Sequence, residues 1–271
     1  MTHPAIRELF RDLERNPSFQ ELLRQIQTQG PGSFSLSGLT ATAKALYIVL
    51  LWLATERPLL VVVADSKQAE TLAESVQTFF GLLAADRSQC RPQLLPAREG
   101  LPGQQLSPHT EISEQRAVAL WRLATERIPV TIAPVAAALL RTETADFYRQ
   151  LALTISTGDE IPFDELIAHL RSIGYRRRDP VEMVGEFSVR GGLIDVFPST
   201  AQDPGRVEFW GDEVESLRRF SVYSQRSLGP VESVQLHAAT EEAGAGAEPI
   251  TSLVPQQACV MRIDPALAAV R

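Results

Sequence analysis

A chain of 271 residues, 44% of them hydrophobic, is long enough to bury a substantial core, which makes disorder a poor reading of it. Its net charge of −7 and pI near 5.3 supply no overall attraction for nucleic acid, a local basic patch aside, and point first to protein partners. No charged opening segment precedes an apolar stretch, and the longest apolar run, Ala45 to Ala54, is too short to span a bilayer, so a cytoplasmic protein without a membrane partner is expected.

In chain order, Ile6, Leu9, Phe10 and Leu13, then Phe19, Leu22, Leu23 and Ile26, recur at helical spacing with a break near Pro17, which predicts two short amphipathic helices. Gly30-Pro31-Gly32 ends them, Phe34 to Ser37 reads as a strand, and a helix follows from about Thr40 to Thr55. Leu59 to Ala64 is an unbroken valine-rich run, as a parallel strand buried on both faces requires. Asp65 and Ser66 are placed to cap the next helix, Lys67 to Phe80. Leu94-Leu95 and Val130 to Ala133 read as further strands, with a helix from Ile112 to Thr125 between them.

Strands alternating with helices predict an α/β domain with a parallel sheet over residues 1–142. After that the pattern changes: a helix at Asp164 to Ile173, then short strands from Phe187 to Phe220 punctuated by Arg190-Gly191-Gly192, Pro198 and Gly211-Asp212. A smaller α+β domain over residues 143–238 is expected, inserted after the first. Glu241 to Ala247 is a linker by composition, and the last strand candidate, Cys259 to Ile263, either returns to the first domain or opens another. Cys90 and Cys259 match no metal-ligand spacing, and the four histidines are scattered; structural thiols and no metal are expected. Lys44 and Lys67 are the only lysines, a preference for arginine that coding bias explains, although arginine's planar fork also suits carboxylate recognition.

Gly38-Leu39-Thr40-Ala41-Thr42-Ala43-Lys44-Ala45 sits where a strand-to-helix phosphate loop of the form G-x-x-x-x-G-K-[ST] belongs. Gly38 and Lys44 fit. Ala43 replaces the glycine that lets backbone close on phosphate, and Ala45 lacks the hydroxyl that would hold magnesium. With Gly38, Thr40 and Lys44 as its remnant, the first domain reads as a degenerate P-loop-type, helicase-like fold with no catalytic residue and no bound cofactor.

These residues bring a family resemblance into view. The decayed loop, Leu101-Pro102 with Ser107 to Ser113, Gly174-Tyr175-Arg176, and Val189 to Pro198 continuing into Arg206 to Arg218 together resemble the amino-terminal part of the bacterial transcription-repair coupling factor (Mfd) family. That part is itself similar to the excinuclease component UvrB. The resemblance spans roughly residues 34 to 238 and implies that the second domain binds UvrA, the damage-recognition component of the excinuclease. Losses at Ala43 and Ala45 favour the coupling factor over UvrB. The resemblance further implies that the ATP- and Mg-dependent motor, and the contacts with RNA polymerase and DNA, belong to parts absent from this chain; residues 239–271, which it does not cover, read as a linker and the start of a further subdomain (1b).

On the same footing, Arg176, Arg190, Asp195, Phe197, Arg206, Glu208, Asp212 and Glu213 are assigned to the surface facing UvrA. Strand alternation puts Arg206 and Glu208 on one face and turns Val207 and Phe209 into the core. Phe197 is either an aromatic anchor or, as the residue type favours, a core residue. Two other functions are consistent with parts of the sequence: an ATP-using UvrB-like enzyme, against which Ala43 and Ala45 stand, and a nucleic-acid module tracking phosphates with Arg176-Arg177-Arg178, Arg171 and Tyr175, against which Asp179, Glu182 and Glu186 stand.

Overall fold

The computed structural model describes residues 8–10, 12–28, 38–87, 91–98, 110–126, 128–198, 200–239 and 248–263. The strand expected at Phe34 to Ser37, the Leu101 to His109 part of the quoted motif and the Glu241 to Ala247 linker lie outside them. Contacts divide the chain into two units: residues 1–96, 127–139 and 254–271, and residues 97–126 with 140–253.

In the first unit, α1 (Pro17–Thr28) follows a short 3-10 turn, Leu13–Arg15. Pro17 opens α1 because its fixed φ suits the first helical position, and Asn16 supplies the side-chain acceptor for the Ser18 N–H at 2.9 Å. Helix α2 (Ala41–Thr55) is apolar nearly all round, so it is sunk in the core, with Ala45, Leu46 and Ile48 to Trp52 buried. β1 (Leu59–Val63) leads to α3 (Ser66–Leu83), whose N-terminus is capped by Asp65 accepting from the Gln68 N–H at 2.8 Å. β2 (Gln93–Leu94), β3 (Val130–Pro134) and the single-turn α5 (Val135–Ala138) complete this stretch of the unit, and α4 (Thr110–Thr125), which lies between β2 and β3 in the chain, belongs to the second unit.

β1 lies inside a parallel sheet beside β3, and its other neighbour comes from the end of the chain: Leu59 pairs with Val130 on one side and with Cys259 on the other. The Cys259 strand therefore returns to the first unit. Valine-rich β1 is covered on both faces, as its lack of alternation requires.

The second unit comprises α4, β4 (Arg141–Thr142), α6 (Ala145–Gln150), β5 (Leu153–Ser156), α7 (Phe163–Ser172), β6 (Arg176–Arg177), β7 (Glu186–Arg190), β8 (Leu193–Val196), β9 (Gly205–Trp210), β10 (Glu213–Phe220), β11 (Ser227–Pro230), β12 (Ser233–Leu236) and β13 (Glu248–Pro249). The final strand, β14 (Cys259–Arg262), belongs to the parallel sheet of the first unit. Six strands form one sheet in the order β11-β10-β9-β8-β7-β6, antiparallel except for the β6-β7 pair. One face of this sheet packs on α7 through Phe187, Ile194, Val196, Val207, Phe209 and Leu217 against Leu166, Leu170 and Ile173.

Sequence periodicity placed α4 with the first domain, whereas its contacts place it in the second unit. Three contacts account for this: α4 packs on α6, the Trp121 indole stacks on the His237 ring with centroids 3.9 Å apart, and Glu114 lies against Gly185. The first domain is thus assembled from three stretches of chain, and the junction near 142 is one of four crossings between the units.

Candidate interaction face

The sheet face turned away from α7 carries the polar members of the strands. Cross-strand register places Ser188, Asp195, Arg206 and Arg218 in one row and Arg190, Leu193, Glu208 and Ser216 in the next. Burial along β9 alternates as expected, with Val207 and Phe209 inside and Arg206 and Glu208 half-buried.

Asp195 organises this face. Only 1% of its side chain is exposed, and it accepts from Arg206 Nε at 2.6 Å, Arg206 Nη2 at 2.9 Å and Arg190 Nη2 at 2.5 Å. The Arg206 pair is bidentate, the strong geometry for a guanidinium and a carboxylate. These bonds hold the Arg206 guanidinium above its ordinary pKa, against the opposing effect of burial. Below Arg206 lies the Phe220 ring, 4.7 Å from the guanidinium carbon. Arg190 keeps 43% of its side chain exposed and also approaches Asp179 at 3.8 Å. Glu208 accepts from Ser216 Oγ at 2.8 Å and lies 3.4 Å from Arg218. The result is a set of guanidiniums fixed in orientation yet open to water.

The remaining assigned residues do not join this cluster. Arg176 lies exposed on the edge strand β6. Phe197, 9% exposed, packs with Val181 and Phe220 in a small satellite core, so the core alternative describes its side chain and the assigned contact role does not. Asp212 sits in the β9-β10 turn, where its Oδ1 accepts from the Phe163 N–H at 3.1 Å and its carbonyl from the Ile161 N–H at 2.8 Å. It caps α7, whose own N-cap position is Pro162 and offers no side-chain acceptor. The Glu213 side chain is exposed, and its backbone forms an isolated antiparallel bridge with that of Glu160. Asp212 therefore serves the β9-β10 turn end of the sheet.

Around Gly38 the geometry is of another kind. Gly38 has φ +78°, and Thr40 caps α2 with its side chain accepting from the Ala43 N–H at 3.3 Å. The Lys44 N–H already donates to the Thr40 carbonyl at 2.9 Å, and Ala45 is wholly buried. The helix begins three residues before Lys44 and takes up amides that a phosphate loop would present to its ligand.

Residues 153–241 match the family model described as the UvrB interaction domain. Among curated proteins the chain is similar to the transcription-repair-coupling factors of Mycobacterium tuberculosis (39% identity over 223 residues, 80% of this chain and 17% of the relative), Bacillus subtilis (31% over 206 residues, 76% and 17%) and Escherichia coli (34% over 184 residues, 68% and 15%). The chain is a homologue of the amino-terminal part of transcription-repair coupling factors. It spans about a sixth of the length of these relatives, 15–17%.

Within the transcription-repair coupling factor homology, sequence reasoning passed over Arg218, Ser216 and Trp210, all on the polar face. Strict alternation along β10 from Glu213 would put Ser216 and Arg218 on the core face with Val214; the register shift between Val214 and Ser216 turns them to the polar face instead, which the sequence pattern does not signal. Ser188 is buried on the same face, with no hydrogen-bond partner for its hydroxyl among the described residues. The described residues contain no group of three or more potential metal ligands and no helix long and apolar enough to cross a membrane.

Proposed function

We propose that this chain is a non-catalytic recruitment module of a transcription-repair coupling factor, which binds the excinuclease component UvrA through the face carrying Arg190, Asp195, Arg206, Glu208 and Arg218. One observation carries the reading: this preorganised polar face lies on the segment that matches the UvrB interaction domain. Fixed guanidiniums lose little freedom on binding, so each bond to a partner carboxylate is gained at small entropic cost. Arg176, on the edge strand of the same sheet, extends the surface laterally.

Under this reading the Gly38, Thr40 and Lys44 segment is a phosphate loop whose amides have been absorbed into α2, and the chain itself needs no cofactor. RNA polymerase, DNA, ATP and Mg engage other parts of the longer protein, and the site of action is the cytoplasm. The nucleic-acid alternative draws less support: Tyr175 is in the core, and Arg178 turns toward Glu186 at 4.0 Å.

Calorimetric titration with purified UvrA, with and without ATP, tests the proposal. Saturable binding that Arg190→Glu weakens at least about tenfold, with no ATP heat or turnover, is expected. Absence of binding by the unaltered chain, or ATP hydrolysis, defeats it.

A further inference from the structure

Trp210 occupies the same face of β9 as Arg206 and Glu208, two residues beyond the latter, and is 78% exposed. The other two tryptophans are packed: Trp52 is buried against Phe80, and Trp121 stacks on His237. The local structure explains why Trp210 is not covered. The β7-β8 turn lies along β9 at this point, with the Phe209 N–H donating to the Gly192 carbonyl at 2.8 Å. A Cβ at Gly192 would come within 2.9 Å of the Phe209 carbonyl oxygen, so the approach requires glycine there. Gly191 and Gly192 therefore bring backbone and no side chain beside the end of β9, and the indole stands uncovered. A single exposed hydrophobic residue is ordinary on a protein surface; this one borders a set of immobilised charges.

We propose that Trp210 is the aromatic anchor of this face, inserting into an apolar depression on a protein partner whose rim carries charges of both signs. The charges argue for protein: Arg190, Arg206 and Arg218 are balanced by Asp179, Asp195 and Glu208, each within 4 Å of one of them. A phosphate backbone calls for net positive charge, whereas a neutral mosaic around an aromatic residue matches the composition of protein hot spots. The anchor rests on the recruitment reading, since its partner is taken to be UvrA.

The test titrates the unaltered chain, Trp210→Ala, Trp210→Phe and Arg190→Glu with purified UvrA, following affinity and tryptophan emission. Trp210→Ala is expected to weaken binding about tenfold or more and Trp210→Phe by less than about threefold, with urea midpoints matching the unaltered chain. Emission should shift to shorter wavelength on binding for the unaltered chain and not for Trp210→Phe. If Trp210→Ala binds within about twofold of the unaltered chain while Arg190→Glu is weakened, the anchor is wrong and recruitment stands. If the unaltered chain does not bind, both fall. Trp210-dependent binding of a single-stranded oligonucleotide, or sedimentation showing self-association that Trp210→Ala abolishes, would reassign the face and overturn the proposal.

Discussion

The start of α2 and the outer face of the six-stranded sheet both gather polar groups where a ligand could meet them, yet only one keeps them available. At α2 the Thr40 hydroxyl and carbonyl take the amides of Ala43 and Lys44, so the helix satisfies itself. On the sheet, Asp195 takes one nitrogen of Arg190 and two of Arg206, and leaves both side chains partly open to water, Arg190 at 43% and Arg206 at 22%. A polar group spent on its own backbone is structure. One held in place by a buried counter-charge is poised for a partner.

The largest effect that would break this contrast lies at Asp195. Replacing it with alanine strands two guanidiniums beside each other and should cost about 3 kcal/mol in urea unfolding, at the low end for a broken buried pair because both arginines reach water. Asp195→Asn, which keeps an acceptor for one arginine, should cost less in stability while still weakening binding to UvrA. If both variants bind with unaltered affinity, the arginines do not depend on Asp195 for their function.

How far the sequence foretold this face can be traced residue by residue. Alternation told Arg206 and Glu208 from Val207 and Phe209, and Asp65 announced its helix cap, because both signals are local. The same alternation set Asp195 beside Leu193 and Phe197, but it could not say that the acid would be buried under two arginines from neighbouring strands. Asp212 acts across 49 residues of sequence to cap α7, a pairing visible only once the hairpin is folded back on the helix. The assignment of α4 to the second unit likewise depends on Trp121 meeting His237, more than 100 residues along the chain.

That docking of α4 separates the second unit from an isolated sheet-and-helix module, and two substitutions test it. Gly185 has φ +77°, and a Cβ there would fall 2.3 Å from Glu114 Oε1, so Gly185→Ala should destabilise by roughly 2–3 kcal/mol through backbone strain and displacement of Glu114. The other concerns His237, whose burial lowers its pKa to about 4, with the Glu126 charge opposing that shift in part. Between about pH 6.5 and 4 the unfolded chain binds the proton and the folded one does not, so stability is full above that window and falls as the pH drops through it. About 2 kcal/mol should be gone by pH 5. Urea midpoints at pH 7.5 and 5 for the unaltered chain and His237→Gln measure this; equal losses in both would assign the effect elsewhere.

The smallest effect sharpens the comparison from the side of α2. Thr40→Ala removes one cap bond and should lower stability by about 1 kcal/mol. It should leave nucleotide affinity where it was, because the amides at this helix start serve the helix. Restoring the consensus with Ala43→Gly and Ala45→Ser should not create ATP binding either: Ala45 lies wholly within the core, so a hydroxyl there would face apolar neighbours. Isothermal titration of both variants with Mg-ATP decides the point. Saturable binding by the restored loop would mean that the start of α2 can unwind to cradle phosphate, and that two substitutions, rather than the earlier helix start, silenced it.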